Sequence, residues 1–160
     1  MSPGITALAR SKDVWSVITN MRKVILVTGA NKGIGLAIVS RLLSDFPDTH
    51  LLLGSRDVTR GQAAVQQLVG DLGENIKTRL DLVQLDVCSD KSVTAAMQTI
   101  KTKLREGESL YGLVNNAGGI LADPRQTIDL NTYGPVRVCR AAVPLLQQDK
   151  GGDSWHNWSV

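Results

Sequence analysis

At 160 residues the chain has the length of one domain, enough to bury about two-thirds of its unfolded surface. A net charge of +3, without any long block of like charges, argues against a nucleic-acid partner and suits a small anionic ligand equally well. No apolar run approaches the ~18 residues of a membrane span, and the two cysteines, Cys88 and Cys139, match no metal spacing and no C-x-x-C, as expected of reduced thiols in a cytoplasmic protein.

Residues 1–20 fall outside the pattern of the rest. They mix Arg10, Lys12 and Asp13 and hold no long apolar stretch, so they do not form a secretory signal. They are expected to be a flexible N-terminal extension to a domain spanning 21–160. From there strands and helices alternate. Val24-Ile25-Leu26-Val27-Thr28 is uncharged and apolar or β-branched, which predicts a strand over 23–28 buried on both faces. Gly29, Gly33 and Gly35 follow at once. Leu36, Ile38, Val39, Leu42 and Leu43 then recur at helical spacing over about 33–45, up to Pro47.

A second strand is expected at 50–54 and a second helix at about 58–70. A third strand over 80–85 ends at Asp86-Val87-Cys88, and a helix over 90–105 opens with Ser89 and Asp90 as cap candidates. A fourth strand over 110–115 leads into Asn115-Asn116-Ala117-Gly118-Gly119. Asp123-Pro124 then has the form of a cap and first-turn proline, opening a long helix to about Gln148. Residues 153–160 are expected as a fifth strand. Repeated βα units of this kind predict a parallel sheet with helices on both faces and right-handed crossovers.

In such sheets ligands lie beyond the carboxyl ends of the strands. The loops at those ends are 29–35, 54–56, 86–87 and 115–119, and they are expected to converge on one crevice. Strand, glycine turn and helix in the first loop bring free N–H groups and the positive end of a helix dipole to one point, which suits a diphosphate. The spacing G-x-x-x-G-x-G differs from the common dinucleotide fingerprint. Arg56 and Arg60 follow the second strand, and Lys32 lies in the glycine loop. Three cations with no acid at that corner favour a 2′-phosphate, hence NADP over NAD. Asp86 either accepts from an adenine amino group or caps the helix that follows it. The Asn115 and Asn116 amides can tie neighbouring loops together.

Taken in order, Thr28-Gly29-x-x-x-Gly33-x-Gly35, Asp86, Asn115-Asn116-Ala117-Gly118 and Asn131 resemble the signature of the short-chain dehydrogenases/reductases. The stretches 28–39 and 56–68 are similar to the carbonyl reductases of that family. The resemblance covers about 22–150. It implies a Rossmann-type doubly wound sheet whose C-terminal part is missing, and NADPH-dependent reduction of a ketone, aldehyde or quinone.

The resemblance also implies the site residues. The cofactor would be lined by Gly29, Asn31, Lys32, Gly33, Ile34 and Gly35, by Arg56 and Arg60, by Asp86 and Val87, and by Asn115, Ala117 and Gly118. Asn131 matches the family's catalytic asparagine, and Ser159 falls near its catalytic serine. Pro135, which has no N–H, stands four residues after Asn131. It either frees the Asn131 carbonyl for a water or simply kinks the helix. No metal site is implied.

The family's acid is a tyrosine with a lysine four residues on. Here Tyr111 is followed at that distance by Asn115 and Tyr133 by Arg137, so neither is expected to act as the acid. His50 and His156 are expected to be structural or on the surface. The chain is therefore expected to be a truncated reductase acting on a small-molecule carbonyl substrate, inactive alone. The alternative is a non-catalytic fragment, NADP(H)-binding or regulatory, that holds NADPH or pairs with a full-length relative.

Overall fold

The computed structural model describes residues 22–146. The expected extension at 1–20, the fifth strand and Ser159 lie outside the described residues. Within them the elements are β1 (Lys23–Val27), α1 (Gly33–Asp45), β2 (Thr49–Ser55), α2 (Val58–Leu72), β3 (Leu80–Gln84), α3 (Asp90–Lys103) and β4 (Leu110–Val114), then α4 (Pro124–Ile128) and α5 (Gly134–Ala142). A short 3-10 helix, Glu74–Arg79, precedes β3.

The four strands form one parallel sheet in the order β3-β2-β1-β4. The chain thus runs outward from β1 to β3 and returns to the far side of β1 for β4. That reversal places a crevice at the carboxyl ends of β1 and β4.

Helices cover both faces, which explains the unbroken apolar strands. All seven residues of β2 are buried. Leu52 points into one core with Val24, Leu26, Val93, Met97, Ile100 and Val138, beneath α3 and α5. Leu51 and Leu53 point into the other with Val39, Leu43, Ala64 and Leu68, beneath α1 and α2. Each fully buried leucine contributes about 1.5–3 kcal/mol relative to exposure.

Local signals set the ends. Asp57 accepts from Arg60 N at the start of α2, Ser89 from Ser92 N at α3, and Asp123 from Arg125 N at α4. Gly73, at φ +93°, closes α2 with its N–H on the Val69 carbonyl.

The expected long helix from Pro124 to Gln148 is corrected. It runs without a break from Pro124 to Leu145 but is not uniform: α4 passes through a wide π turn over Asp129–Tyr133 into α5 and then a 3-10 turn over Val143–Leu145. Pro135 cannot donate to a carbonyl four residues back, and its ring crowds that carbonyl. The chain widens there, with Gly134 N donating to Asp129 O five residues behind. Gly134 also has to be small. A Cβ on it would stand 2.8 Å from Val87 Cγ2.

Candidate functional site

The four loops at the carboxyl edge do meet, and hydrogen bonds join them. Thr28, at the end of β1, is the hub. Its hydroxyl accepts from the N–H groups of Asn116 and Ala117, both at 3.0 Å. The Asn116 amide donates to the carbonyls of Thr28 and Gly29 at 3.0 and 3.2 Å. Ala30 N donates to Gly54 O at 2.9 Å, and Leu85 N to Ser55 O at 2.9 Å. The expectation that an asparagine ties the loops holds for Asn116. Thr28 ends the strand and leads the glycine motif in sequence, but its role as hub depends on a partner 88 residues away.

The glycine loop is shaped by close approach. Gly29 has φ +63°, and a Cβ there would lie 2.8 Å from the Ala117 Cα. A Cβ on Gly35 would collide with the Asn116 amide nitrogen and lie 2.8 Å from Gly29 O. Behind the loop, α1 starts at Gly33 with Lys32 at its N-cap and no side chain capping it, unlike α2, α3 and α4. Its first N–H groups and its positive dipole end face the crevice edge. Ile34 is 68% exposed, and Asn31 is half-buried in the same loop.

The cationic corner differs from expectation in one respect. Lys32, Arg56 and Arg60 are all exposed. However, an acid is present. Asp57 caps α2 and lies 3.7 Å from Arg60 Nε. An exposed pair at that distance is weak, and the Asp57 carboxylate is already held by the helix start. Among the described residues Lys32 and Arg56 form no ion pair. An anion would meet two free cations and one partly neutralised.

Asp86 does not cap α3; Ser89 does. Asp86 Oδ1 instead accepts from Cys88 N at 3.0 Å, and its own N–H donates to Ser92 Oγ at 2.9 Å. Val87 is 5% exposed, with its side chain against Gly134, so a ligand could reach only its backbone.

At the end of β4 the Asn115 amide donates to Cys139 Sγ at 3.2 Å. Its Oδ1 is buried without a partner among the described residues, and such an acceptor costs about 1–3 kcal/mol. Asn131 lies in the π turn. It accepts from Gly119 N at 2.9 Å and donates to Gly119 O at 2.7 Å. Gly118 lies directly against it, since a Cβ there would be 2.9 Å from Asn131 Oδ1. Both ends of the Asn131 amide are therefore spent on the loop, leaving its backbone as the group open to other work.

Next to this turn, Arg137 stands 2.7 Å from Asp129 Oδ1 and 3.2 Å from Asp90 Oδ1. Its hydrogen bond holds the Asp129 carboxyl below its ordinary range. Burial, and then the neighbouring Asp129, push the Cys88 thiol up. Among the described residues no cluster of three or more metal-ligating side chains occurs. No helix there is long and apolar enough to cross a membrane.

Comparison with known proteins agrees with this architecture. The family model described as short chain dehydrogenase matches residues 23–153. Human carbonyl reductase (NADPH) 1 is 41% identical over 133 residues, covering 78% of this chain and 45% of that protein. Menthone neomenthol reductase from Mentha piperita superposes with a TM-score of 0.71 at 31% identity, covering 80% of this chain and 57% of that one. The NADPH-bound carbonyl reductase from chicken fatty liver gives 0.66 at 29% identity, over 78% of this chain and 51% of that one. The chain spans about half the length of the curated relatives it matches.

Proposed function

We propose, because the chain belongs to the short chain dehydrogenase family, that it binds NADP(H) in the crevice at the ends of β1 and β4. The reaction served is reduction of a small ketone, aldehyde or quinone by hydride transfer. The observation that carries this reading is the glycine loop. It has no room for a Cβ at Gly29 or Gly35, and an uncapped 13-residue helix starts behind it. A diphosphate suits that cradle, because backbone N–H groups and the helix dipole both favour negative charge.

Within this reading Lys32, Arg56 and Arg60 take the 2′-phosphate, which a dinucleotide without it lacks. Asp86 keeps one carboxylate oxygen for the adenine amino group. Val87, through its backbone, and Asn115, Ala117 and Gly118 line the cofactor. When bound, the nicotinamide supplies the hydride. Asn131 serves through its backbone, with its side chain fixing the turn against Gly119. The names of the human and chicken relatives, both given with NADPH, support the cofactor assignment.

A proton must follow the hydride to the new alkoxide, from a positioned acid. Neither tyrosine here has a lysine four residues on. We therefore read this chain by itself as binding the cofactor without turning it over. The two free thiols, Cys88 and Cys139, support a reducing, cytoplasmic setting.

Titration of the purified chain with NADPH and NADH tests this. Saturable binding with NADPH clearly tighter is expected. Equal binding of the two would overturn the NADP assignment, and binding of neither would overturn the reading. Oxidation of NADPH with a quinone or dicarbonyl added would overturn the claim of no turnover.

A further inference from the structure

Arg137 follows Tyr133 at the spacing of a catalytic pair. Its side chain does something else. One guanidinium reaches three segments. Nη2 stands 2.7 Å from Asp129 Oδ1 in the π turn, and Nε stands 3.2 Å from Asp90 Oδ1 at the start of α3. Nη1 donates to Val87 O at 3.4 Å in the loop after β3. That loop carries Asp86, and the turn carries Asn131 two residues beyond Asp129. Asn131 in turn holds Gly119 by two hydrogen bonds. Polar contacts therefore run from the Asp86 loop through Arg137 to Asp129, and from Asn131 to the loop after β4, with two residues of the π turn joining the two halves through the backbone. The contact is tight as well as polar, since Gly134 packs on the Val87 side chain.

We propose that Arg137 is a positioning residue that couples the Asp86–Asp90 loop to the Asn131 turn, setting the turn's geometry without touching the crevice itself. The guanidinium is suited to this role. It is planar, always charged, and offers donors in a rigid fork, where an ammonium offers one point charge. Asp90 and Asp129 are held by neighbouring nitrogens of one guanidinium, Nε and Nη2, so one residue fixes the spacing between two segments. The link to cofactor binding rests on the function proposed above; the link between loop and turn does not.

The test uses the full chain and two readouts. The first, without ligand, is the position of the Gly119 N–H and Asn131 side-chain amide resonances. Arg137→Gln is expected to move both, and Asp129→Asn to move them in the same direction, with little further shift in the double variant. Arg137→Lys, which keeps the charge but not the fork, is expected to restore them only in part, and it also answers the question should Arg137→Gln fail to fold. Asp81→Asn, at the opposite end of the sheet, is expected to lower thermal stability and leave these resonances in place. The second readout is NADPH affinity, expected to fall about fivefold in Arg137→Gln. Unmoved Gly119 and Asn131 resonances in Arg137→Gln, full recovery with lysine, or equal shifts in Asp81→Asn would each overturn the proposal. If the unaltered chain does not bind NADPH, the functional reading falls, and the ligand-free resonances still decide the coupling.

Discussion

Arg22 Nη1 stands 2.9 Å from His50 Nδ1, and this fixes the state of the ring. A guanidinium only donates, so Nδ1 must accept and the ring proton sits on Nε2. That proton points at Asp81 Oδ2, 2.7 Å away. Asp81 Oδ1 is held by the Lys103 ammonium at 2.7 Å, and Arg22 also grips Glu108 at 2.8 Å. Burial pushes the Asp81 carboxyl up, but its bonds to Lys103 and His50 outweigh that and leave it below the usual range.

This network predicts a pH dependence. Burial, opposed by Asp81 and assisted by the Arg22 charge, depresses the His50 pKa below its ordinary 6.5. A second ring proton would also face Arg22 donor to donor. Between the unfolded and folded values the unfolded chain takes up a proton that the folded chain refuses. Stability from this group is therefore full above about pH 6.5 and lost as pH falls through 6.5 toward the depressed value. Melting temperatures measured from pH 7.5 to 5 should fall in the unaltered chain and fall less steeply in His50→Gln. Parallel slopes would remove His50 from the account.

The hub at Thr28 gives a second prediction. Thr28 is 1% exposed, and its hydroxyl is the acceptor for two backbone N–H groups. Thr28→Val keeps the shape and orphans both donors, at a cost of about 1–3 kcal/mol for each. Thr28→Ser keeps the oxygen and should retain most of the stability. Urea unfolding of both variants checks this, and a valine variant as stable as the serine one would refute it.

Two glycines in one loop separate strain from collision. Gly29 and Gly33 both have positive φ, at +63° and +57°, but only Gly29 has a neighbour where a Cβ would go. Gly33→Ala should cost about 1–2 kcal/mol from the backbone alone. Gly29→Ala should cost more, because its Cβ must push the Ala117 backbone aside. Equal unfolding midpoints for the two would mean that the Ala117 contact yields freely.

Cofactor choice should respond to the two cations that lack partners among the described residues. Arg56→Glu is expected to weaken NADPH by about tenfold or more and to leave NADH little changed, since a carboxylate at that place accepts from a ribose hydroxyl and repels a phosphate. Arg60→Ala should matter less, because Asp57 already stands 3.7 Å from it. Dissociation constants for both nucleotides check the order.

The strands and their loops were legible because the relevant information is local. Val24–Val27 is apolar on both faces, and Gly29, Gly33 and Gly35 mark the turn after it. The features that escaped depend on distant partners. Thr28 looks like a strand end in sequence, and only the fold sets its hydroxyl under the N–H groups of Asn116 and Ala117. Pro135 announced a disturbance in the helix after Asp123. The widening into a π turn also depends on Gly134 meeting Val87, from another loop. Arg137 was legible as a spacing after Tyr133, yet one of its partners lies 50 residues away.

One consequence follows from the burial of β2 on both faces. A strand with three successive leucines and apolar cover above and below would satisfy its leucines nearly as well if it slid by one residue, so hydrophobicity alone does not index it against its neighbours. The index marks are the polar and small residues at its ends. His50 must sit opposite Val24 to meet Arg22 and Asp81. Gly54 must pass where a Cβ would lie 2.9 Å from Val27 O. The charges at one end of the sheet thus keep the glycine loop in register at the other.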